Sequence, residues 1–256
     1  MKKVLLFASM AALALSGCEK DDNATKLFKG KSVAFQHGTA FTWYEVDKTN
    51  KPLRIAIAID DAAMASLDRG HGKDGDTHDN SVSLPMPAQA NSSIFTHGLL
   101  DWSPMGHPPP GVYDLPHFDF HFYTSSEAAR LAIPPYEQAP DKFDNYPAAD
   151  YMPLKYVPIP EGVPQMGKHW VDVTSPELNG QQFTQTFIYG SYNSKVTFLE
   201  PMITEAFLNA NSGFTRSIPH AAKVEKSGWY PTKMRIEKAY GTTNVILEDF
   251  IRRQPN

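Results

Sequence analysis

Residues 117–123 run His117-Phe118-Asp119-Phe120-His121-Phe122-Tyr123, with aromatics at 118, 120 and 122 and polar residues at 117, 119 and 121. Strict alternation is the period of a β-strand, because successive side chains on a strand point to opposite faces. One face is all phenylalanine and the other is His-Asp-His. The segment therefore predicts a strand whose core-facing aromatic row backs a row of metal-ligand residue types. Packing alone does not account for the polar row, and a metal or acid–base site is the leading expectation.

Strand geometry limits that site. At roughly 3.3 Å per residue, positions i and i+2 lie about 6.6 Å apart and can share an ion, whereas i and i+4 lie about 13 Å apart. A regular strand does not put His117, Asp119 and His121 on one ion. Either a bulge shortens the row, or one pair ligates while Asp119 accepts a hydrogen bond from a ligating histidine and orients it. The remaining ligands have to come from other strands. With a single cysteine, at position 18, the donors are restricted to His, Asp and Glu: His107, His117, Asp119, His121, His169, Asp172 and Glu200.

His169 lies in Met166-Gly167-Lys168-His169-Trp170-Val171-Asp172, between glycine and tryptophan. Glu200 lies in Val196-Thr197-Phe198-Leu199-Glu200-Pro201-Met202, where alternation puts Val196, Phe198 and Glu200 on one face. A carboxylate on an apolar face is costly unless it is paired or bound to a cation. The alternative is a strand that twists Glu200 into solvent just before Pro201. His107 precedes Pro108-Pro109-Pro110, and backbone rigidity is the simpler account of it. His37, His71, His78, His97 and His220 read as loop or surface residues. The expectation is one site walled by His117, Asp119, His121, His169 and Glu200. It would hold a divalent transition metal, with zinc, iron, manganese and copper equally suited to such a donor set. The competing expectation is a buried polar network in which these residues satisfy one another.

The rest of the chain predicts a mainly β, β-rich α+β fold. Residues 32–47 and Leu53 to Ile59 form an N-terminal hairpin across a turn at Lys48 to Pro52. Gln182 to Tyr189 and Lys195 to Met202 flank a turn at Gly190 to Ser194, and Met234 to Tyr240 and Asn244 to Ile251 form a last hairpin. Repeated hairpins favour an antiparallel sheet closed as a barrel or stacked as a sandwich. One or two short helices are expected, over Asp61 to Leu67 with Asp60 or Asp61 as cap, and after Ser125 or Ser126. Gly70 to Asn80 is a polar loop that lacks calcium-loop spacing. Residues 134–166, rich in proline and tyrosine, form a long irregular segment suited to a lid or an oligomer arm.

The N-terminus reads as a processing signal. Lys2 and Lys3 precede an apolar stretch from Val4 to Leu15, and Leu15-Ser16-Gly17-Cys18 matches the bacterial lipobox. Residues 1–17 are then a lipoprotein signal peptide, 18–29 the lipidated cysteine and a flexible tether, and 30–256 a single β-rich domain. Acyl chains on Cys18 would anchor the protein in the bacterial cell envelope, at the outer membrane, facing either the surface or the periplasm. Glu19-Lys20-Asp21-Asp22 resembles the charged tether of surface-exported lipoproteins.

Removing Lys2 and Lys3 from the 24 basic residues leaves 22 against 28 acidic ones, a net charge of −6, and no basic patch, so nucleic acid is not an expected partner. No Gly-x-Ser-x-Gly elbow or phosphate-binding glycine loop occurs, which argues against a nucleotide cofactor and against serine hydrolase chemistry. The expected partners are the membrane through Cys18, a small molecule or glycan, and further copies of the chain.

Several strings resemble an uncharacterised family of exported bacterial proteins, a domain of unknown function. They are Asp101 to Pro109, Val112 to Tyr123 with its Pro-His-Phe-Asp-Phe-His-Phe-Tyr, Gly167-Lys168-His169-Trp170-Val171-Asp172, Phe187 to Tyr192, and Phe198-Leu199-Glu200-Pro201-Met202. The resemblance spans roughly residues 30–210 and weakens beyond Ser212. It implies a shared β-rich fold and supplies no activity.

Overall fold

The computed structural model describes residues 24–70 and 80–255. The expected signal peptide, Cys18, residues 19–23 of the tether and most of the Gly70 to Asn80 loop lie outside the described residues.

Strands β1 (Lys26–Lys29), β2 (Val33–Phe35), β3 (Gly38–Val46) and β4 (Pro52–Asp60) lead into helix α1 (Asp61–Ala65). Next come β5 (Ser81–Pro85), β6 (His97–Ser103), β7 (His117–Tyr123), α2 (Glu127–Leu131) and α3 (Pro140–Phe143). They are followed by β8 (Tyr156–Pro158), β9 (Lys168–Asp172), β10 (Gln185–Tyr192), β11 (Lys195–Thr204) and α4 (Glu205–Ala210). β12 (Thr215–Ser217), β13 (Gly228–Ala239) and β14 (Thr242–Arg253) complete the chain.

The strands form two antiparallel seven-stranded sheets. One has the order β1-β3-β4-β14-β13-β12, with β2 added on β3; the other has the order β5-β6-β7-β11-β10-β9-β8. Neither closes, so the architecture is a sandwich and not a barrel. The main core lies between the sheets. Ile55, Ile57, Ile59, Val245 and Leu247 of the first sheet face Phe118, Phe120, Phe122, Phe187 and Leu199 of the second. The three alternating phenylalanines of β7 are fully buried, each contributing about 1.5–3 kcal/mol of transfer free energy.

Two hairpins close through two-residue turns with both residues at positive φ: Asn193-Ser194 (47° and 62°) between β10 and β11, and Tyr240-Gly241 (51° and 72°) between β13 and β14. This left-handed pair matches the twist of the flanking strands. The expected five-residue turn at Gly190 to Ser194 is thus shorter, and Gly190, Ser191 and Tyr192 remain in β10.

Other expectations shift in detail. Four short α-helices occur among the described residues, with α1 capped by Asp60 and α2 by Ser126 as expected. Residues 26–29, read as the end of the tether, pair with β3, and Phe28 packs against the core. The segment 134–166 lies against the β8–β10 side of the second sheet: Phe143 and Tyr156 are buried, and the Tyr156 hydroxyl donates to the Phe187 carbonyl.

Candidate metal centre

The face of the second sheet opposite the phenylalanines carries the polar row, and cross-strand register brings further residues to it. Asp101 of β6 lies opposite Asp119, and Met202 of β11 also lies opposite Asp119. Ile188 of β10 faces Glu200, and Gly190 faces both Phe198 and His169 of β9. Directly paired residues share a face of the sheet. Asp101, His117, Asp119, His121, His169 and Glu200 therefore project to the same side. An apolar cap covers them, built from Tyr113, Met166 and Phe183 of the connecting segments with Tyr123, Phe198 and Met202 of the strands.

Two glycines set the local geometry. A Cβ on Gly190 would sit 2.0 Å from the Phe198 ring. The missing side chain lets that ring lie between His121 and His169, at centroid distances of 4.9 and 5.1 Å. Gly106 has φ +73°, and its Cβ would meet the Tyr113 carbonyl at 2.1 Å. Close approach there lets the His107 amide donate to that same carbonyl, which aims the loop back over β7.

The donors fall into two groups, His107, His117 and Asp119, and His121, His169 and Glu200, with donor atoms in each within 4.8 Å of one another. Both are built alike, with a carboxylate between two imidazole Nε2 atoms. Asp119 Oδ1 lies 3.2 Å from His117 Nε2, and its Oδ2 lies 3.6 Å from His107 Nε2. Glu200 Oε1 lies 3.6 Å from His121 Nε2, and its Oε2 lies 3.8 Å from His169 Nε2.

These separations discriminate between a hydrogen-bonded network and a ligand set. A charge-assisted N–H···O bond is about 2.7–2.9 Å long. Two ligands bonded at about 2.1 Å in tetrahedral geometry stand about 3.4 Å apart. The observed values cluster around the second figure. In agreement, His117 Nε2, Asp119 Oδ1, His121 Nε2 and Glu200 Oε2 are buried with no hydrogen-bond partner.

The outward nitrogens of two histidines are held in place. His117 Nδ1 lies 2.6 Å from the Leu115 carbonyl and His107 Nδ1 lies 2.8 Å from the Pro108 carbonyl. His121 Nδ1 lies 3.2 Å from Asp101 Oδ2, an ion-pair contact in which neither atom has a hydrogen-bond partner; the tautomer is fixed only at His117 and His107. Donation from Nδ1 fixes the tautomer and turns the Nε2 lone pair inward, the arrangement that orients metal-ligating histidines.

Electrostatics agree with a cation-seeking site. Burial alone would lower the His107 and His121 pKa values, but the facing carboxylates, Asp119 and Glu200 respectively, win and raise both to about 9. For His169, burial and then the charges on His121 and His107 push it down to about 3. Burial also raises Glu200 well above the usual carboxylate range. Burial acts in the same sense on Asp119, but His117 and His107 overcome it and hold that carboxyl well below the range. Without metal, a proton on His107 supplies positive charge beside the Asp119 carboxylate.

The structure brings His121, His169 and Glu200 together, and places His117 and Asp119 in the neighbouring group with His107. Rigidity beside the prolines is not the whole account of His107, whose Nε2 faces Asp119. Asp172 is elsewhere: three residues from His169 it falls on the opposite face and caps a turn, accepting from the Thr174 amide and hydroxyl. Glu200 is buried rather than twisted into solvent, because β11 continues to Thr204. Phe198 shares the Glu200 face, but Val196 packs toward the main core because a bulge at Gly190/Ser191 shifts the register. His97 is not a surface residue; it is buried and stacked on Tyr123 at 4.7 Å.

Sequence reasoning missed Asp101 as the partner of His121. Its signal is the alternation of His97, Leu99, Asp101 and Ser103 against Gly98, Leu100 and Trp102, masked by the punctuation-rich stretch that follows. No protein-family model, curated protein or solved structure matches this chain. The chemistry of the site therefore rests on its geometry.

Proposed function

We propose that the protein is a lipid-anchored metalloprotein of the bacterial cell envelope, in which His121, His169 and Glu200 hold a divalent transition-metal ion and Asp101 fixes the His121 ring. The observation that carries this reading is the donor spacing: 3.6 and 3.8 Å from the two imidazoles to the two oxygens of one buried carboxylate. Polar groups placed here without a cation would leave His121 Nε2 and Glu200 Oε2 desolvated and unpartnered, at about 1–3 kcal/mol each. The ion would supply Lewis acidity and an acidified bound water. Lipid on Cys18, as the lipobox at 15–18 implies, would hold the site at a membrane surface and restrict it to extracytoplasmic small molecules.

The test is elemental analysis of untagged protein purified aerobically and anaerobically, with and without equilibration against zinc, iron(II), manganese and copper. Stoichiometric metal that is lost in the His121→Ala, His169→Ala double variant is the expected result. Protein that binds none of these ions overturns the reading. Anchoring is checked separately by metabolic labelling with a fatty acid, which Cys18→Ala should abolish.

A further inference from the structure

We propose that His107, His117 and Asp119 hold a second divalent ion beside the first, and that this outer ion is the one that exchanges and accepts a small anionic ligand. The inference rests on the metal reading of the inner group and extends it. Its first support is geometric repetition. Asp119 bridges two imidazole Nε2 atoms at 3.2 and 3.6 Å just as Glu200 does at 3.6 and 3.8 Å. His117 Nε2 and Asp119 Oδ1 are buried without a hydrogen-bond partner, and they belong to the donor group of His107, not to the inner one.

Charge is the second support. Asp101, Asp119 and Glu200 are all buried and line one face. Three carboxylates leave one dication over-neutralised with negative charge, while two dications exceed them by a single positive charge. An anion completes the balance, and buried charges that are not balanced are costly.

The asymmetry of the two groups assigns the roles. The inner donors are all strand residues with side chains no more than 10% exposed, whereas the His107 side chain is 26% exposed and sits on the proline-rich connection after β6. Closed, strand-borne sets suit structural ions, and a set with one side open to solvent suits an ion that keeps a position for exogenous ligand.

Cobalt(II) is the probe. Protein stripped with a chelator is titrated with cobalt(II), bound metal is counted by elemental analysis, and azide is added while the visible d–d bands are recorded. The expected result is two equivalents in the wild type and an azide-dependent spectral shift. His107→Ala, on the partly exposed connection, should bind one equivalent and lose the azide response. The isosteric Asp119→Asn should do the same, and near-UV circular dichroism confirms that both are folded. His169→Ala should retain the azide response. A wild type that binds one equivalent, unchanged by His107→Ala, overturns the second site and leaves the inner one standing. No binding at all overturns both. Two equivalents with an azide shift that survives His107→Ala overturns the assignment of ligand exchange to the outer ion.

Discussion

Substituting Gly190 by alanine tests whether the floor of the site is packed as described. Gly190 lies in ordinary strand backbone within β10, so alanine there meets no conformational penalty of the kind a positive φ would impose. The obstacle is steric: the new Cβ would meet Cε1, Cδ1 and Cζ of Phe198 at 2.0, 2.2 and 2.3 Å. Ordinary carbon contacts are about 3.5–4.0 Å, so the ring has to retreat by about 1.5 Å. Phe198 has nowhere to go, being fully buried between His121, His169 and Tyr123. Overpacking of this kind costs about 1–3 kcal/mol. Phe198→Ala alone should cost about 3–5 kcal/mol through the cavity it leaves. In the double variant the methyl introduced by Gly190→Ala enters the vacated volume, so the loss should fall short of the sum by about 1 kcal/mol or more, where distant sites would add to within about 0.5 kcal/mol. The assay is urea unfolding with chelator present, so that metal linkage does not mix into the result. A neutral Gly190→Ala, or a cycle that adds, would refute the account of Gly190 as the residue that seats Phe198 beneath the histidines.

Metal binding should be linked to protons. His107 and His121, raised to about 9, are protonated at pH 7 in the metal-free protein, so binding releases protons and affinity should rise from pH 7 to 9 by about tenfold per unit for each proton displaced. Calorimetry in buffers of different ionisation enthalpy measures this, and a pH-independent affinity would contradict it. Because their folded pKa values exceed the unfolded value of about 6.5, these two histidines stabilise the metal-free fold fully below that pH and lose the effect as pH passes about 9. His169, lowered to about 3, has the opposite sign, its contribution fading as pH falls from 6.5 toward 3. Asp101→Asn should weaken metal binding by about 10–100-fold by releasing the His121 ring, read by competition with a chelating dye; unchanged affinity argues that the 3.2 Å contact to His121 has no orienting role. Metal at about 100 times its Kd should stabilise the fold by about 2.7 kcal/mol, raising Tm by roughly 5–10 °C for a chain of this size, and calorimetric scans with and without the ion decide it.

Local sequence was informative wherever a period or a turn signal sufficed. The alternation of Phe118, Phe120 and Phe122 with His117, Asp119 and His121 specifies a strand and both of its faces, because the two-residue period is set by backbone geometry alone. Asp60 and Ser126 announce their helices by capping chemistry, and the late hairpins by glycine, asparagine and serine at their turns. The short strand β1 carried no such signal. Its existence depends on pairing with β3 and on a place for Phe28 in the core.

The composition of the site depended on contacts that local sequence does not encode. Spacing along one strand showed that His117 and His121 would not share an ion, and it nominated His169 and Glu200. It carried no information on which donors meet. Cross-strand register decided that: β11 beside β7 brings Glu200 to His121, the bulge at Gly190/Ser191 fixes which β11 residues face outward, and β9 delivers His169 opposite Gly190. Asp101 joined through β6, and His107 through a connection folded back at Gly106. Register and loop return are settled by burial of the whole sheet against its partner. The seven-residue motif thus determined a strand with one apolar and one metal-ligand face, and only the packed sandwich decided that its polar face serves two donor groups instead of one.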